Sequence, residues 1–197
     1  MACLHGTFVA GTLSAKRGSV APSICPDCTL LIHPLFSENA SINAQMPSAQ
    51  PEQLAGAILS CVDAGAHVVN LSLALAQPSS KEERDLKAAL DYAAHRGALV
   101  VAAAGNQGTL GSTTITRHPW VIPVVACTNF GLPINASNLG GSIGRRGLCA
   151  PGDNVTSLGA EGQSLTLGGT SAAAPFVTGT IALLWSLFPD ATSAQIK

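Results

Sequence analysis

The chain has 197 residues, 47% hydrophobic and only 11% charged, and its ten basic and eleven acidic side chains leave a net charge of −1. A near-neutral balance whose largest basic cluster is Arg145-Arg146 has nothing to track a phosphate backbone, which excludes nucleic acid as a partner. The size suits one core and one domain over residues 1–197. The apolar stretch from Ala172 to Phe188 is interrupted by Pro175, Gly179 and threonines, so it reads as a buried core helix, and no membrane partner is expected.

In chain order, residues 6–15 read as a short helix with the apolar stripe Phe8, Val9 and Leu13, carrying His5 at its entrance and stopped by Gly18 and Pro22. Residues 29–35 form a short apolar run between turn signals, which predicts a strand buried on both faces. Residues 37–50, rich in Ser, Asn, Ala and Pro, read as a loop. From Pro51, the positions Leu54, Ala57, Ile58, Cys61 and Val62 recur at helical spacing until Gly65. A strand over 67–73, a polar turn over 77–80, a helix over 81–96 and a strand over 98–104 then make a strand–helix–strand crossover unit. Another strand over 120–128 precedes a glycine-rich region, 131–169, of short strands and loops, and a helix that begins near Ser171 closes the chain. This alternation predicts an α/β fold: an open, mainly parallel sheet with helices on both faces and its binding site beyond the carboxyl ends of the strands. Asn106 falls just past one such end.

Six cysteines in a chain with a large core are not a disulfide scaffold. Cys61, Cys127 and Cys149 stand in apolar contexts and read as core thiols, while Cys25-Pro26-Asp27-Cys28 could be a loop with two thiols, a local bridge, a redox pair or half a zinc site. No second such pair completes a tetrahedral set. His33, His67, His95 and His118 have no ligand or catalytic context, and the Asn-x-Ser/Thr patterns at Asn39, Asn70, Asn135 and Asn154 read as chance. No basic region followed by an apolar stretch opens the chain, so a cytoplasmic location is expected.

The chemistry concentrates in three segments. Ser171 lies in Leu167-Gly168-Gly169-Thr170-Ser171-Ala172-Ala173-Ala174-Pro175, where a glycine-rich turn delivers a hydroxyl to the first turn of a buried helix, close to backbone N–H groups and the positive end of the helix dipole. Serine at its ordinary pKa is a poor nucleophile, so acyl transfer needs a base within reach and donors aimed at the oxyanion. The segment His5-Gly6-Thr7-Phe8-Val9-Ala10-Gly11-Thr12 offers a base, and Ala102-Ala103-Ala104-Gly105-Asn106 offers an amide donor after a strand.

In the order His, Asn, Ser these segments resemble the subtilisin family of serine proteases, the subtilases, and the resemblance runs through nearly the whole chain. It implies a subtilisin-like three-layer sandwich and a serine endopeptidase that needs no cofactor. In that likeness Ser171 attacks the scissile carbonyl, and His5 takes its proton and passes it to the leaving amine. The Asn106 side chain and the Ser171 N–H hold the tetrahedral oxyanion. A peptide or protein substrate would add as an extra strand along Ser72, Leu73 and Ala74, with Ala103, Ala104 and Gly105 as the opposite wall.

The departures from the family pattern are specific. Phe8 stands where a second histidine is common, Ala172 where methionine is common, and Ala74 where glycine is common. The short loop after the His5 helix, before Val20, implies that the calcium-binding insertion is missing, so no metal is expected there. The catalytic aspartate of the family ends a strand before the histidine, yet only Met1 to Leu4 precede His5. None of Asp27, Asp63, Asp85, Asp91, Asp153 and Asp190 follows a strand that reaches His5, and loss of that role in related triads costs about 10⁴ in turnover. The expectation is therefore a clipped gene model or a fragment of a longer protease, whose missing N-terminal segment would be its partner, and the chain resembles intracellular subtilases, including those that trim precursor peptides. The competing reading is a peptide-binding module that cannot turn over. An esterase is disfavoured, because the Gly-x-Ser-x-Gly elbow and its chain order are missing.

Overall fold

The runs Leu99-Val-Val-Ala-Ala and Val121-Ile-Pro-Val-Val-Ala-Cys carry no charge, and every residue in them is buried, which requires protein on both faces of the sheet they build. The computed structural model describes residues 2–36, 49–75 and 83–197. Its elements are α1 (Ala2–Ser14), α2 (Pro51–Asp63), β1 (Val68–Leu71), α3 (Arg84–His95), β2 (Leu99–Ala103), α4 (Thr114–Arg117), β3 (Val121–Cys127), α5 (Gly141–Arg146), β4 (Leu148–Pro151), β5 (Val155–Leu158), β6 (Ser164–Leu167), α6 (Thr170–Leu187) and α7 (Ser193–Ile196). The four strands β1-β2-β3-β4 lie side by side in chain order and all parallel, with Val68 opposite Leu99, Val100 opposite Val121 and Val124 opposite Leu148. Strands β5 and β6 form a separate antiparallel pair.

The alternation of side chains along β2 divides the core into two sides. Leu99, Val101 and Ala103 join Ile122, Val124 and Ala126 against Ala173, Ala174, Val177 and Ile181 of α6. Val100 and Ala102 face the other way, with Val69, Leu71 and Val121, against Leu54, Ile58 and Val62 of α2 and Leu86, Leu90 and Ala93 of α3. This is the expected three-layer arrangement of helices, parallel sheet and helices. Helix α6 has 18 residues and a mean hydropathy of 1.3, the length and composition of a membrane span, but half of that stretch is buried inside the protein, across the sheet.

Four local expectations are corrected. Helix α1 starts at Ala2, so His5 lies inside its first turns rather than at its entrance. Residues 29–35 form no strand, and Leu31 and Ile32 are 47% and 70% exposed. A strand exists only through a neighbour, and among the described residues none pairs with this segment. Cys127 and Cys149 are not core thiols: they form a disulfide across the adjacent strands β3 and β4, with Cα atoms 5.9 Å apart. The glycine-rich region holds the helix α5 as well as strands. Its Arg146 guanidinium donates to the carbonyls of Thr116, Arg117 and His118 at 3.0, 3.3 and 3.1 Å, satisfying the end of α4. The predicted turn at 77–80 and most of the predicted loop, 37–48, lie outside the described residues, as does the start of the helix predicted from 81.

Candidate active site

The first turn of α6 gathers the predicted nucleophile and the predicted amide donor. Gly169 precedes the helix at φ 104°, a backbone that favours glycine, and a Cβ there would fall 2.9 Å from Asn106 Nδ2. Thr170, fully buried, donates both its N–H and its hydroxyl to Asn106 Oδ1, at 2.8 and 2.9 Å, and its Oγ1 accepts the Gly105 N–H at 3.1 Å. A backbone N–H can only donate, so it fixes which end of the Asn106 amide is oxygen. The Nδ2 group therefore faces away from Thr170, on an exposed residue. Ser171 is the second residue of the helix and half-buried. The N–H groups of Ala172 and Ala173 go to the Gly169 carbonyl, whereas the Ser171 N–H has no acceptor among the described residues. One side-chain donor and one backbone donor thus remain open at the same helix end, where the dipole favours negative charge.

A proline makes the next link necessary. Pro175 lies inside α6 and has no N–H, so the carbonyl of Ser171, four residues earlier, loses its helical partner. The Ser72 hydroxyl supplies the missing donor at 2.8 Å. Ser72 Oγ in turn accepts from Asn70 Nδ2 at 2.9 Å, and Asn70 Oδ1 accepts from the Thr178 hydroxyl at 2.8 Å. The end of β1 is therefore tied to α6 at two places.

The residues predicted to line the substrate edge divide by depth. Ser72, Leu73 and Ala74 follow β1 beyond the last ladder pair, Leu71 with Ala102, and are half-buried. The Leu73 side chain packs towards the α2–α3 side of the core. Ala103 and Ala104 are 3% and 2% exposed, and the Ala104 N–H is held by the Val124 carbonyl at 2.9 Å. Gly105 is buried as well. All three residues are thus buried at the end of β2, directly before the exposed Asn106.

The predicted base is held differently. Helix α1 packs on α6 and β5 through Phe8, 1% exposed, which clusters with Ala172 and Val155. The Phe8 carbonyl accepts the buried Ser157 hydroxyl at 2.8 Å and the Thr12 hydroxyl at 3.0 Å. Phe8 is thus a core anchor that seats the His5 helix beside the residue following Ser171. His5 itself is half-buried, and burial pushes its imidazole below the ordinary value of 6.5. Among the described residues no hydrogen bond joins His5 to Ser171, and no carboxylate faces His5. Asp91 is held instead by Lys87 at 2.8 Å and His118 Nε2 at 3.0 Å, and Asp63 by the Tyr92 hydroxyl at 2.6 Å.

Among the described residues no three His, Cys, Asp or Glu side chains converge in a metal-binding group. Cys25 and Cys28 are free thiols in a turn against the end of α1, where the Ser14 hydroxyl lies 3.2 Å from the carbonyls of Pro26 and Cys28. Burial first, then the neighbouring Cys28 thiol, pushes the Cys25 thiol up to about 12.

This arrangement has close relatives. The model of the subtilase family of peptidases matches residues 3–197. The chain belongs to the subtilase family. It is 32% identical over 194 residues to the thermostable alkaline protease of Halalkalibacterium halodurans, covering 98% of this chain and 50% of that protein. It is 30% identical to subtilisin E of Bacillus subtilis, covering 98% of this chain and 48% of the relative. The chain thus spans about half the length of the curated relatives it matches. Among solved structures, the patellamide maturation protease PatA superposes with a TM-score of 0.87 at 31% identity, covering 98% of this chain and 69% of that one. The prenylagaramide maturation protease PagA gives 0.87 at 30% identity, over 93% of this chain and 64% of that one.

Proposed function

We propose that this subtilase chain carries the nucleophile, base and oxyanion donors of a serine endopeptidase, working through an acyl-enzyme. Ser171 Oγ attacks the scissile carbonyl, and neutral His5 accepts its proton and returns it to the leaving amine. Asn106 Nδ2 and the Ser171 N–H bind the oxyanion that forms. The observation that carries this reading is the Asn106 amide: its oxygen is fixed by Thr170 at the start of α6, and among the described residues neither its donor end nor the Ser171 N–H has an acceptor. Its substrate is a peptide laid along Ser72, Leu73 and Ala74, in line with relatives named as proteases of patellamide and prenylagaramide maturation. Residues 1–197 act as one catalytic domain, completed by an N-terminal segment of the same protein that supplies the aspartate.

A second reading rests on one observation, the lack of a carboxylate facing His5 among the described residues. On that reading the chain binds peptides without turning them over. A serine-directed peptidyl phosphonate separates the two. Covalent label on Ser171, absent from Ser171→Ala, supports the protease, and peptide binding with no label at Ser171 supports the binding module.

A further inference from the structure

Asn138 belongs to a loop of small and polar residues, Asn135-Ala136-Ser137-Asn138-Leu139-Gly140, yet it is only 3% exposed. A buried carboxamide needs partners, and all of those it finds lie in the segment that carries Asn106. Its Oδ1 accepts the Gln107 N–H at 3.0 Å, the Thr109 N–H at 3.1 Å and the Thr109 hydroxyl at 3.1 Å. Its Nδ2 donates to Gln107 Oε1 at 2.7 Å, and its backbone N–H donates to the Gly105 carbonyl at 2.9 Å. The residues on either side of Asn106 are thus both tied to Asn138, while the Asn106 side chain is left to Thr170.

The surrounding backbone reinforces this grip. The Gly108 N–H donates to the Ala136 carbonyl at 2.8 Å, and the Leu139 N–H to the Thr109 carbonyl at 3.0 Å. Gly105 turns at φ +103°, and a Cβ there would collide with the Asn138 amide nitrogen and lie 2.8 Å from Gln107 Oε1. The turn after β2 is therefore moulded around one side chain from a distant loop.

We propose that Asn138 is a positioning residue for Asn106: by holding residues 105, 107 and 109 it fixes where the Asn106 donor points. This rests on Asn106 being an oxyanion donor. Such donors work because they are already aimed when charge develops, and a displacement of about 1 Å can cost about 10²-fold. Asn138 touches no reacting atom, so its effect must pass through Asn106.

The test compares the rate at which a peptidyl phosphonate labels Ser171 in the parent protein, Asn138→Ala, Asn138→Asp, Asn106→Ala and the double variant Asn106→Ala/Asn138→Ala. Labelling is expected to slow about 10- to 100-fold in Asn138→Ala and about 10²- to 10³-fold in Asn106→Ala, the scale known for single donors of this kind, subtilisin included. The double variant should be no slower than Asn106→Ala alone. Asn138→Asp should recover most of the rate, because its carboxylate accepts the same N–H groups and the Gln107 amide can turn to donate to it; it also carries the comparison if the alanine variant does not fold. Amide exchange should quicken at Gln107 and Thr109 in Asn138→Ala while β2 and β3 stay protected. Parent-like labelling of Asn138→Ala, or a double variant slowed by the product of the single effects, would overturn the proposal and leave the Asn106 reading standing. Parent-like labelling of Asn106→Ala would instead overturn the oxyanion reading, and the proposal with it. If the parent takes no label, the protease reading fails, and unchanged exchange at Gln107 and Thr109 overturns the positional claim independently.

Discussion

The two halves of the candidate site are built by opposite means. Around Ser171 and Asn106 nearly every polar group is fixed by another: Thr170 holds Asn106, Ser72 replaces the donor that Pro175 lacks, and Asn138 holds the turn. Around His5 the helix is seated by apolar packing of Phe8, and the imidazole has burial but, among the described residues, no orienting carboxylate. Polar networks set direction, whereas packing sets only place. The proposed nucleophile and oxyanion side is therefore preorganised among the described residues, and the proposed base is located without being aimed by them.

The largest effect that tests this contrast is Phe8→Ala, expected to cost about 3–5 kcal/mol of stability in thermal or denaturant unfolding, because it empties the contact on which α1 rests. A cost below about 1 kcal/mol would mean that something other than packing seats α1. Next is Ser72→Ala, which leaves the Ser171 carbonyl without its donor: a loss of about 1–3 kcal/mol and slower labelling of Ser171 are expected. Unchanged stability would show that the Pro175 gap needs no filling.

The pH dependence of labelling addresses the other half. On the proposed mechanism neutral His5 accepts the proton, and burial lowers its pKa, so the neutral form persists below the ordinary value. The labelling rate should be flat in the neutral range and fall with acid through a midpoint below 6.5. A midpoint above 6.5 would reveal a carboxylate acting on His5. The smallest effect is a control on the histidine that does have a carboxylate. Asp91→Asn takes the charge from an exposed carboxylate but leaves an amide oxygen for the buried His118 Nε2, and should cost less than about 1 kcal/mol while leaving labelling unchanged. Slower labelling would link His118 to the site.

How much of this could be read in the sequence varied with the range of the interaction responsible. The strands β2 and β3 and the helix α6 were legible because each is a mostly apolar run without charged residues, and Asn106 followed from the end of β2. Residues 29–35 have the same local pattern, but a strand is completed only by hydrogen bonds to a neighbour, which composition cannot report. The Cys127–Cys149 bond depends on the register of β3 with β4, across 22 residues, and no local spacing announces it. Asn138 was invisible for a related reason: an asparagine among Ser, Gly and Leu looks like any loop residue until Gln107 and Thr109 are brought to it. Helix α5 was hidden by its glycines.

The disulfide has a consequence for where the molecule can keep its shape. Among the described residues strand β4 ends the four-stranded sheet, bonded on one side only, and the covalent link to β3 closes a loop of 22 residues, a constraint of about 3 kcal/mol on the unfolded chain. That increment exists only while the two sulfurs stay oxidised. Full reduction of this bond by a strong dithiol should therefore lower the midpoint of thermal unfolding, the loosening starting at the outer strand of the sheet.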